Sequence, residues 1–405
     1  MLQHWIWFAR CEHVSNHTKQ TLLQRFRDPE DIFHADEAAF ADIPEMTEAA
    51  VAALMEKDLT EAAEILQACS RKEIRVLTYL DECYPPRLRN IYDPPMVLYF
   101  KGILPDWGTR PVIGIVGTRK ASIYGMNTAK QFGRQISACG AIVVSGCATG
   151  IDGMAMEGAL ETGNPVVGIL GGGVDVIYPA KNRSLFSALE TGGCLISEYP
   201  PGDKPVGWHF PLRNRIITGL SNGLLVVEAP ERSGALISAR HAMEQGRDVF
   251  VVPGNVGVET CAGSNQLLEE QALPALSGWH VVREYEAMYP DTVCKRDIPA
   301  RRENYGMMVA QEQQIPFDER TGKEPADKKS IDKEEKCTYS VVNNPSAALN
   351  ADEQHILAHI GTEPGTVDDV IAKADMAPGT VKSILTKLII KGLVRNLPGG
   401  RVSRK

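Results

Sequence analysis

The sequence predicts an α/β fold in which a mostly parallel sheet is preceded and followed by smaller domains. Six apolar runs between residues 112 and 252 alternate with stretches of helical character, the pattern of a parallel sheet covered on both faces. Residues 1–70 carry apolar stripes at helical spacing, whereas residues 348–405 combine three helical stretches with a hairpin pattern. A chain of 405 residues is long enough for two or three domains.

Residues 1–70 are predicted to form a small helical domain, similar to a sterile-alpha-motif or helix-hairpin-helix module. Turn and cap signals such as Asp28-Pro29 and Asp58 separate its helical stretches. The apolar stripes are Leu22, Leu23 and Phe26; Val51, Leu54 and Met55; and Ala62, Ile65 and Leu66.

Residues 71–285 are predicted to form the α/β domain. The strand IRVLTYL opens it, and the prolines at positions 85, 86, 94 and 95 exclude helix from the segment that follows. A helix is predicted over Met126–Cys139, between the first two buried strands. The buried strands are Val112–Val116, Ala141–Val144, Val166–Leu170, Cys194–Ile196, Leu224–Val227 and Val249–Val252.

The last part of the chain is predicted to be a linker and a winged helix. Within residues 317–336, 13 of 20 residues are charged, so we expect residues 286–347 to be a disordered linker. Helices over Asp352–Ile360, Val367–Ala374 and Gly379–Lys391, followed by a hairpin, are typical of a winged-helix module. The third helix and the hairpin carry a basic face, formed by Lys382, Lys387, Lys391 and Arg395.

The composition indicates a soluble globular protein in a reducing compartment. The nine cysteines include no CxxC pair, which predicts reduced thiols, no metal site and no cofactor. No apolar run reaches the ~18 residues of a membrane span, and the start of the chain lacks signal-peptide features, so we expect a cytoplasmic protein. The net charge of −8 does not exclude a nucleic-acid partner, because binding depends on where the basic groups lie.

The strongest candidate site follows the first buried strand, in VIGIVGTRKASIYG at residues 112–125. The strand runs directly into Gly117, Thr118 and Arg119, and Ser122 precedes the next helix. Glycine lets the backbone approach a bound group, and hydroxyls and a guanidinium donate hydrogen bonds to phosphate oxygens. The N-terminus of the helix favours an anion as well. The alternative is a tight strand-to-helix turn without a ligand.

The next two strands end in the same kind of residue. The second ends in Ser145-Gly146 and continues through Gly150 to Asp152, which we expect to cap a helix. The third ends in the glycines at positions 171–173. Because parallel strands end at one edge of the sheet, the three loops predict one shared anion pocket.

The sequence FPLRNRIITGLS leaves two interpretations open. Arg213 and Arg215 flank Asn214, and the two guanidiniums could contact phosphates or could pair with carboxylates such as Asp152 and Glu228 as core struts.

Three further positions are candidates for the pocket. Lys181 follows a Tyr-Pro pair and is either a phosphate ligand or a solvated surface lysine. Ser233 and Gly234 begin a later helix and could face the same pocket.

The sequence lacks the motifs of nucleotide-dependent enzymes. No GxGxxG follows a strand with an acidic residue ~20 positions later, and no GxxxxGK[ST] is present. His209 and His241 are isolated, and no serine or cysteine has a recognisable base beside it in the sequence. We therefore expect no catalytic residues and a protein that is not an enzyme.

Taken together and in order, the motifs of residues 75–270 resemble the DprA/Smf family. They are GTRKASIYG, SGCATGIDGMAMEGAL, GGGVDVIYP, YPPG, FPLRNRIITGLS, EAPERSGALISARHA and GRDVFVVPG. The resemblance implies an extended Rossmann-like core that binds single-stranded DNA, usually as a homodimer. It also implies protection of incoming DNA and loading of RecA recombinase during natural transformation. Many members add an N-terminal helical domain and a C-terminal winged helix.

The resemblance also assigns roles to individual residues. It implies phosphate contacts by Gly117, Arg119, Ser122, Ser145, Gly146 and Lys181, and it matches residues 213–215 to the family's FPxRNRII element. The chain departs from the family at Met156, where the usual AHxGAL motif has a histidine.

Two other function classes are weighed against DNA binding. The first is a nucleotide-processing enzyme related to the lysine-decarboxylase-like phosphoribohydrolases, which rely on a PGGxGTxxE segment. The matching residues 228–234 read EAPERSG here and lack that arrangement. The second is a transcriptional regulator that acts through the winged helix, with the Rossmann-like domain as a nucleotide sensor.

Overall fold

The structure is a computed structural model that describes residues 1–296 and, with gaps, residues 351–404. The chain divides into two compact units, Met1–Gln311 and Glu312–Lys405. Most of the predicted linker, residues 297–347, lies outside the described residues. Among the helices that are described, none is both long enough and apolar enough to cross a membrane.

Five helices form the N-terminal part of the first unit. They are α1 (Leu2–Arg10), α2 (Asn16–Arg25), α3 (Pro29–His34), α4 (Glu48–Met55) and α5 (Thr60–Arg71). Ser15, Asp28 and Thr47 cap the N-termini of α2, α3 and α4 with their side-chain oxygens. The apolar start of the chain is helix α1, and four consecutive residues, 5–8, are buried in it.

A nine-stranded sheet forms the centre of the first unit. Its strands are β1 (Arg75–Thr78), β2 (Val97–Gly102), β3 (Val112–Val116), β4 (Ile142–Ser145), β5 (Val166–Leu170), β6 (Cys194–Ser197), β7 (Gly223–Val226), β8 (Asp248–Val251) and β9 (Leu273–Pro274). The strand order is β1-β2-β6-β5-β4-β3-β7-β8-β9. Strands β3 to β9 are parallel, and β1 and β2 are attached by antiparallel pairing. The mostly parallel sheet predicted from the sequence is confirmed.

Helices cover both faces of this sheet. Ile113 and Ile115 of β3 point into one apolar core, whereas Val112 and Val116 of the same strand point into a second core. Alternation along a strand separates its two faces, so both faces are buried. The helices are α6 (Pro86–Arg89), α7 (Ile123–Ala138), α8 (Ile151–Leu160), α9 (Arg183–Gly192), α10 (His209–Leu220), α11 (Gly234–Glu244), α12 (Glu259–Glu269) and α13 (Gly278–Val282).

Two expectations about this unit are corrected. The proline-rich segment after β1 does contain a short helix, α6, which begins at Pro86. Proline is tolerated in the first turn, where its missing N–H group has no intrahelical partner. Residues 286–296, assigned to the linker, pack on the sheet domain: Val293 is buried, and the Cys294 N–H group donates to the Cys139 carbonyl at 3.2 Å.

The second unit has the expected winged-helix elements. Helices α14 (Ala351–Ala358) and α15 (Val367–Ala374) precede helical residues at positions 380, 381, 384, 385 and 388, and strands β11 (Val394–Leu397) and β12 (Arg401–Arg404) form the hairpin. A two-residue strand, β10 (Gly365–Thr366), pairs with β12 and was not predicted. The core of the second unit includes Val381, Ile384, Leu385 and Leu388, as their spacing predicted.

Candidate nucleic-acid interface

A cavity of about 590 Å³ opens at the carboxyl ends of the parallel strands. Strand β3 lies between β4 and β7, so the direction of strand addition reverses between β3 and β7. This is the place where sheets of this kind bind ligands. The cavity is lined by Val116, Gly117, Thr118, Arg119, Ala148, Asp152, Tyr178, Pro205, Gly207, Phe210, Pro211, Arg213, Asn214, Ile217, Pro230, Arg232, Ser233, Gly234, Ala235 and Ser238.

Arg119 is an exposed cation at the mouth of this cavity. It lies on the loop that connects β3 to α7, and the preceding Thr118 N–H group anchors this loop by donating to the Glu228 carbonyl at 2.8 Å. The Arg119 guanidinium stacks over the Phe210 ring, with 4.8 Å between its Cζ and the ring centroid. It forms no ion pair with a carboxylate of the described residues. The charge is therefore held in place and remains available to an anion.

Arg213 is the buried cation of the cavity, with 4% of its surface exposed. Its guanidinium donates to the Ile169 carbonyl, but its Nε has no hydrogen-bond partner. Burial lowers the pKa of Arg213, and Asp152 opposes that shift by attraction. A Cβ at position 146 would lie 2.6 Å from Cζ of Arg213, so only glycine leaves room for the guanidinium. Gly146 thus contributes through the space it leaves.

Asp152 does not cap helix α8, contrary to the sequence-based expectation. Gly150 precedes that helix, and Asp152 Oδ2 instead accepts a hydrogen bond from the Gly146 N–H group at 3.1 Å. Burial raises the pKa of Asp152, while attraction to Arg213 and bonds from backbone amides lower it. The residue therefore holds the β4–α8 loop in the shape that accommodates Arg213.

The lining of the cavity is cationic although the whole chain has a net charge of −8. Arg119, Arg213 and Arg232 stand against the single carboxylate of Asp152. A concave surface with an excess of one charge concentrates counter-ions, here anions. The phosphate group of a nucleic acid meets this requirement.

A helix N-terminus opens on the cavity, but it is that of α11 rather than that of α7. Ser233 caps α11 by accepting from the Ala235 N–H group at 3.2 Å, and Gly234 also lines the cavity. The unpaired N–H groups of a first turn favour anions.

The N-terminus of α7 is occupied by a carboxylate of the chain itself. Glu228 accepts hydrogen bonds from the Ser122 N–H group at 2.9 Å and from the Ser122 hydroxyl at 2.5 Å. Ser122 and this helix end, which the sequence assigned to a phosphate, are bonded to Glu228 instead. A Cβ at Gly125 would lie 2.7 Å from Glu228 Oε1, so the first turn of α7 is built around this carboxylate.

Three more predicted site residues do not line the cavity. The buried Ser145 hydroxyl donates to the Ile115 carbonyl at 2.6 Å. Gly150 has a φ of +79°, and a Cβ there would lie 2.8 Å from the Arg119 carbonyl oxygen, so it packs the two loops together. Lys181 is exposed in a short 3₁₀ turn, Ala180–Asn182.

Arg215 is a structural strut, which separates it from Arg213. Its Nε bonds to Asp93 at 2.7 Å and its terminal nitrogens bond to Glu198 at 2.8 and 2.9 Å. Burial by itself lowers the pKa of Arg215, but the attraction of Glu198 and Asp93 outweighs burial and raises it. Of the two interpretations left open for the RNR sequence, the core strut applies to Arg215, with Asp93 and Glu198 as its partners in place of Asp152 and Glu228. Asn214 lines the cavity.

The aromatic side of the cavity and one of its cations were not predicted from the sequence. Tyr178 and Phe210 face it with 5.6 Å between their ring centroids, and Trp208, 64% exposed, follows the cavity-lining Gly207. Arg232 precedes Ser233-Gly234, so its place after a strand was a signal that could have identified it.

His209, one of the two isolated histidines, is held by contacts within the fold. His209 stacks on Tyr199 at 3.9 Å, and its Nδ1 lies 2.9 Å from the Gly171 carbonyl oxygen. Of the basic face predicted for the winged helix, Lys382, Lys387 and Lys391 lie outside the described residues, and Arg395 lies on β11.

Two family profiles match the chain. Residues 75–286, about half of it, match the family described as DNA recombination-mediator protein A. Residues 343–400 match the DprA winged helix domain.

Individual proteins are similar over the same regions and beyond. Protein Smf of Synechocystis sp. is 31% identical over 414 aligned residues, which cover 99% of this chain and 98% of that protein. The DNA processing protein DprA of Bacillus subtilis is 39% identical over 54% of this chain and 74% of its own. The crystal structure of DprA from Streptococcus pneumoniae superposes with a TM-score of 0.62 at 32% identity, covering 70% of this chain and 98% of that one.

Proposed function

The chain belongs to the DprA/Smf family of DNA processing proteins, and from this we propose that its cavity binds the backbone of single-stranded DNA. The observation that carries the proposal is the pair of arginines, Arg119 and Arg213, that face the cavity without an ion-pair partner among the described residues. Guanidiniums bind phosphate through paired hydrogen bonds, and displaced counter-ions add to the affinity.

The remaining residues of the lining supply further hydrogen-bond donors for the phosphates of the bound strand. Gly117 and Thr118 bring backbone and hydroxyl groups to the cavity, and Asn214 lies beside Arg213. The N-terminus of α11, at Ser233 and Gly234, adds unpaired N–H groups. Gly146 acts indirectly, since it leaves room for Arg213.

The aromatic residues favour a single strand over a duplex. Tyr178, Phe210 and Trp208 lie in or beside the cavity, and two of them are about half or more exposed. Bases stack on aromatic rings only when they are not paired in a duplex, and such stacking tolerates any base. The cavity would thus hold phosphate and base groups of an unpaired strand without strong sequence preference.

The finer roles rest on the family. We infer that the protein protects incoming single strands and loads RecA recombinase onto them during natural transformation, as a cytoplasmic homodimer. We place Lys181 and the winged-helix residues Lys382, Lys387, Lys391 and Arg395 among secondary DNA contacts. The boundaries proposed for the domains are residues 1–70, 71–296 and 348–405.

We also propose that the protein acts on DNA without catalysis. The competing phosphoribohydrolase function needs a glutamate that reaches a nucleotide, and the matching segment 228–234 contains Glu231, which is exposed, and Glu228. The Glu228 side chain is 2% exposed and bonded to Ser122, which does not favour that role. Incubation with nucleoside monophosphates and with ATP should give no product, and turnover that disappears in Glu228→Gln would support the enzyme instead.

The direct test compares single- and double-stranded oligonucleotides across a salt series. We expect tighter binding to single strands, with a steep loss of affinity as salt rises and little dependence on sequence. A chain that ends at residue 296 should keep most of the affinity, because the cavity lies within residues 116–238. A preference for a specific duplex would contradict the proposal and favour the transcriptional regulator.

A further inference from the structure

We propose that His4, Glu30 and His34 form a binding site for a divalent transition-metal ion, with zinc as the expected occupant. The side chains offer two imidazole nitrogens and one carboxylate oxygen, and these atoms all lie within 4.8 Å of one another. Within the part of the chain that the structure describes, this is the only group of three such ligands. Two histidines and a carboxylate are a recurrent zinc ligand set, which leaves a fourth position for water.

The two helices that supply these ligands place them on one side. Glu30 and His34 are four residues apart on α3, so they lie on the same face of that helix. His4 comes from α1, and its Nδ1 lies 3.8 Å from Glu30 Oε2. Tetrahedral zinc with bonds of about 2 Å requires ligand atoms roughly 3.3 Å apart. The His4–Glu30 pair would have to close by about half an ångström, and the pairs that involve His34, which lie within 4.8 Å, by at most about 1.5 Å, through side-chain rotation.

His4 is oriented for a ligand that the protein itself does not supply. Its side chain is 11% exposed, and its buried Nδ1 has no hydrogen-bond partner. Buried polar atoms normally have a partner, so this nitrogen requires a separate explanation. The Phe33 ring packs against both imidazoles, with centroids 5.0 Å from His4 and 5.4 Å from His34. A metal bond would satisfy His4 Nδ1 and leave the Phe33 ring in place.

An ion can reach the site from solvent. Glu30 is 42% exposed and His34 is exposed, so the open side of the cluster faces water. Within the described part of the chain, the ion pair that metal binding would displace from Glu30 is a weak one, because the Met1 amino group lies 3.7 Å from Glu30 Oε2. A bound ion would connect α1 to α3 and would stabilise the helical domain by mass action.

The test is a calorimetric titration of zinc chloride into the metal-free full-length chain. The exposed Cys83 and Cys294, together with Cys337, are first changed to serine so that thiols do not compete. We expect one zinc ion per chain and a higher thermal midpoint with zinc. His34→Ala and Glu30→Gln should each weaken binding by about tenfold or more, since each removes a direct ligand.

A matched control uses a partly exposed histidine near a glutamate. His241 lies 3.4 Å from Glu244 on α11, and His241→Ala should leave zinc binding unchanged. The thermal midpoint of each variant without zinc shows whether it is folded. The proposal is overturned if the parent chain binds no zinc, if neither ligand variant weakens binding, or if His241→Ala weakens binding equally. None of these results bears on DNA binding by the cavity.

Discussion

Helix α10 carries two arginines, two residues apart, whose surroundings differ in kind. Arg215 lies at a junction formed with Asp93 and Glu198, where its charge is fully compensated by two carboxylates. Arg213 lies at the cavity, where a backbone carbonyl accepts one of its bonds and Nε has no partner. Arg215 is therefore a structural cation, whereas Arg213 is a cation without a paired anion among the described residues.

Charge compensation, not residue type, distinguishes a structural arginine from an arginine that is available to an anion. An arginine with two carboxylates gains nothing further from a phosphate, whereas an arginine without one gains a strong, charge-assisted bond. Changes at the junction should therefore lower stability and leave DNA binding intact. Changes at the cavity should weaken DNA binding.

The largest effect is expected at the junction. Arg215→Ala leaves two carboxylates without their cation, and we expect the free energy of unfolding to fall by about 3 kcal/mol. Urea denaturation measures this change. Arg10→Ala is the matched control, because its ion pair with Glu61 is exposed and should contribute less than about 1 kcal/mol. Equal losses in the two variants would contradict the distinction.

Gly146→Ala tests the cavity without removing a charge. The new Cβ would lie 2.6 Å from Cζ of Arg213, so the guanidinium must move. Overpacking of this kind costs about 1–3 kcal/mol, and we expect single-strand affinity to fall along with stability. Gly207→Ala is the control, since it also lines the cavity and a Cβ there meets nothing within 4 Å. If both substitutions weaken binding alike, the position of Arg213 is not the cause.

Lys19 is a buried cation near the two carboxylates of the junction, and its pKa can be tested. Burial lowers its pKa to about 8 from an ordinary value of 10.5, although Glu198 and Asp93 attract the charge. Above pH 8 the folded state releases this proton while the unfolded state retains it, so stability gains from rising pH. Relative to Lys19→Met, the unfolding free energy of the parent chain should rise by about 1 kcal/mol from pH 8 to pH 9. A constant difference would show that Lys19 has an ordinary pKa.

The sequence predicted the sheet well because its strands are continuous apolar runs, a local signal. It also singled out Arg119 and Gly146, since both positions follow strand ends, whereas for Arg213, which lies within helix α10, it left two interpretations open. It could not show that Ser122 bonds to Glu228, because the two residues are 106 positions apart in the chain. The same limit applies to the helical domain, where His4 meets Glu30 and His34 only after two helices pack together. Contacts that form only when distant segments pack together cannot be predicted from local sequence patterns.

The most direct test of the central claim is the salt dependence of single-strand binding in Arg119→Ala. We expect an affinity loss of about 1.5–3 kcal/mol, the range for hydrogen bonds to charged groups. The slope of log affinity against log salt should shrink by about one counter-ion, equally for every base sequence. Arg119→Lys should restore the slope but only part of the affinity, and Arg71→Ala, an exposed arginine outside the cavity, should change neither. An unchanged slope in Arg119→Ala, together with a lower melting temperature, would contradict the account and make Arg119 a structural residue.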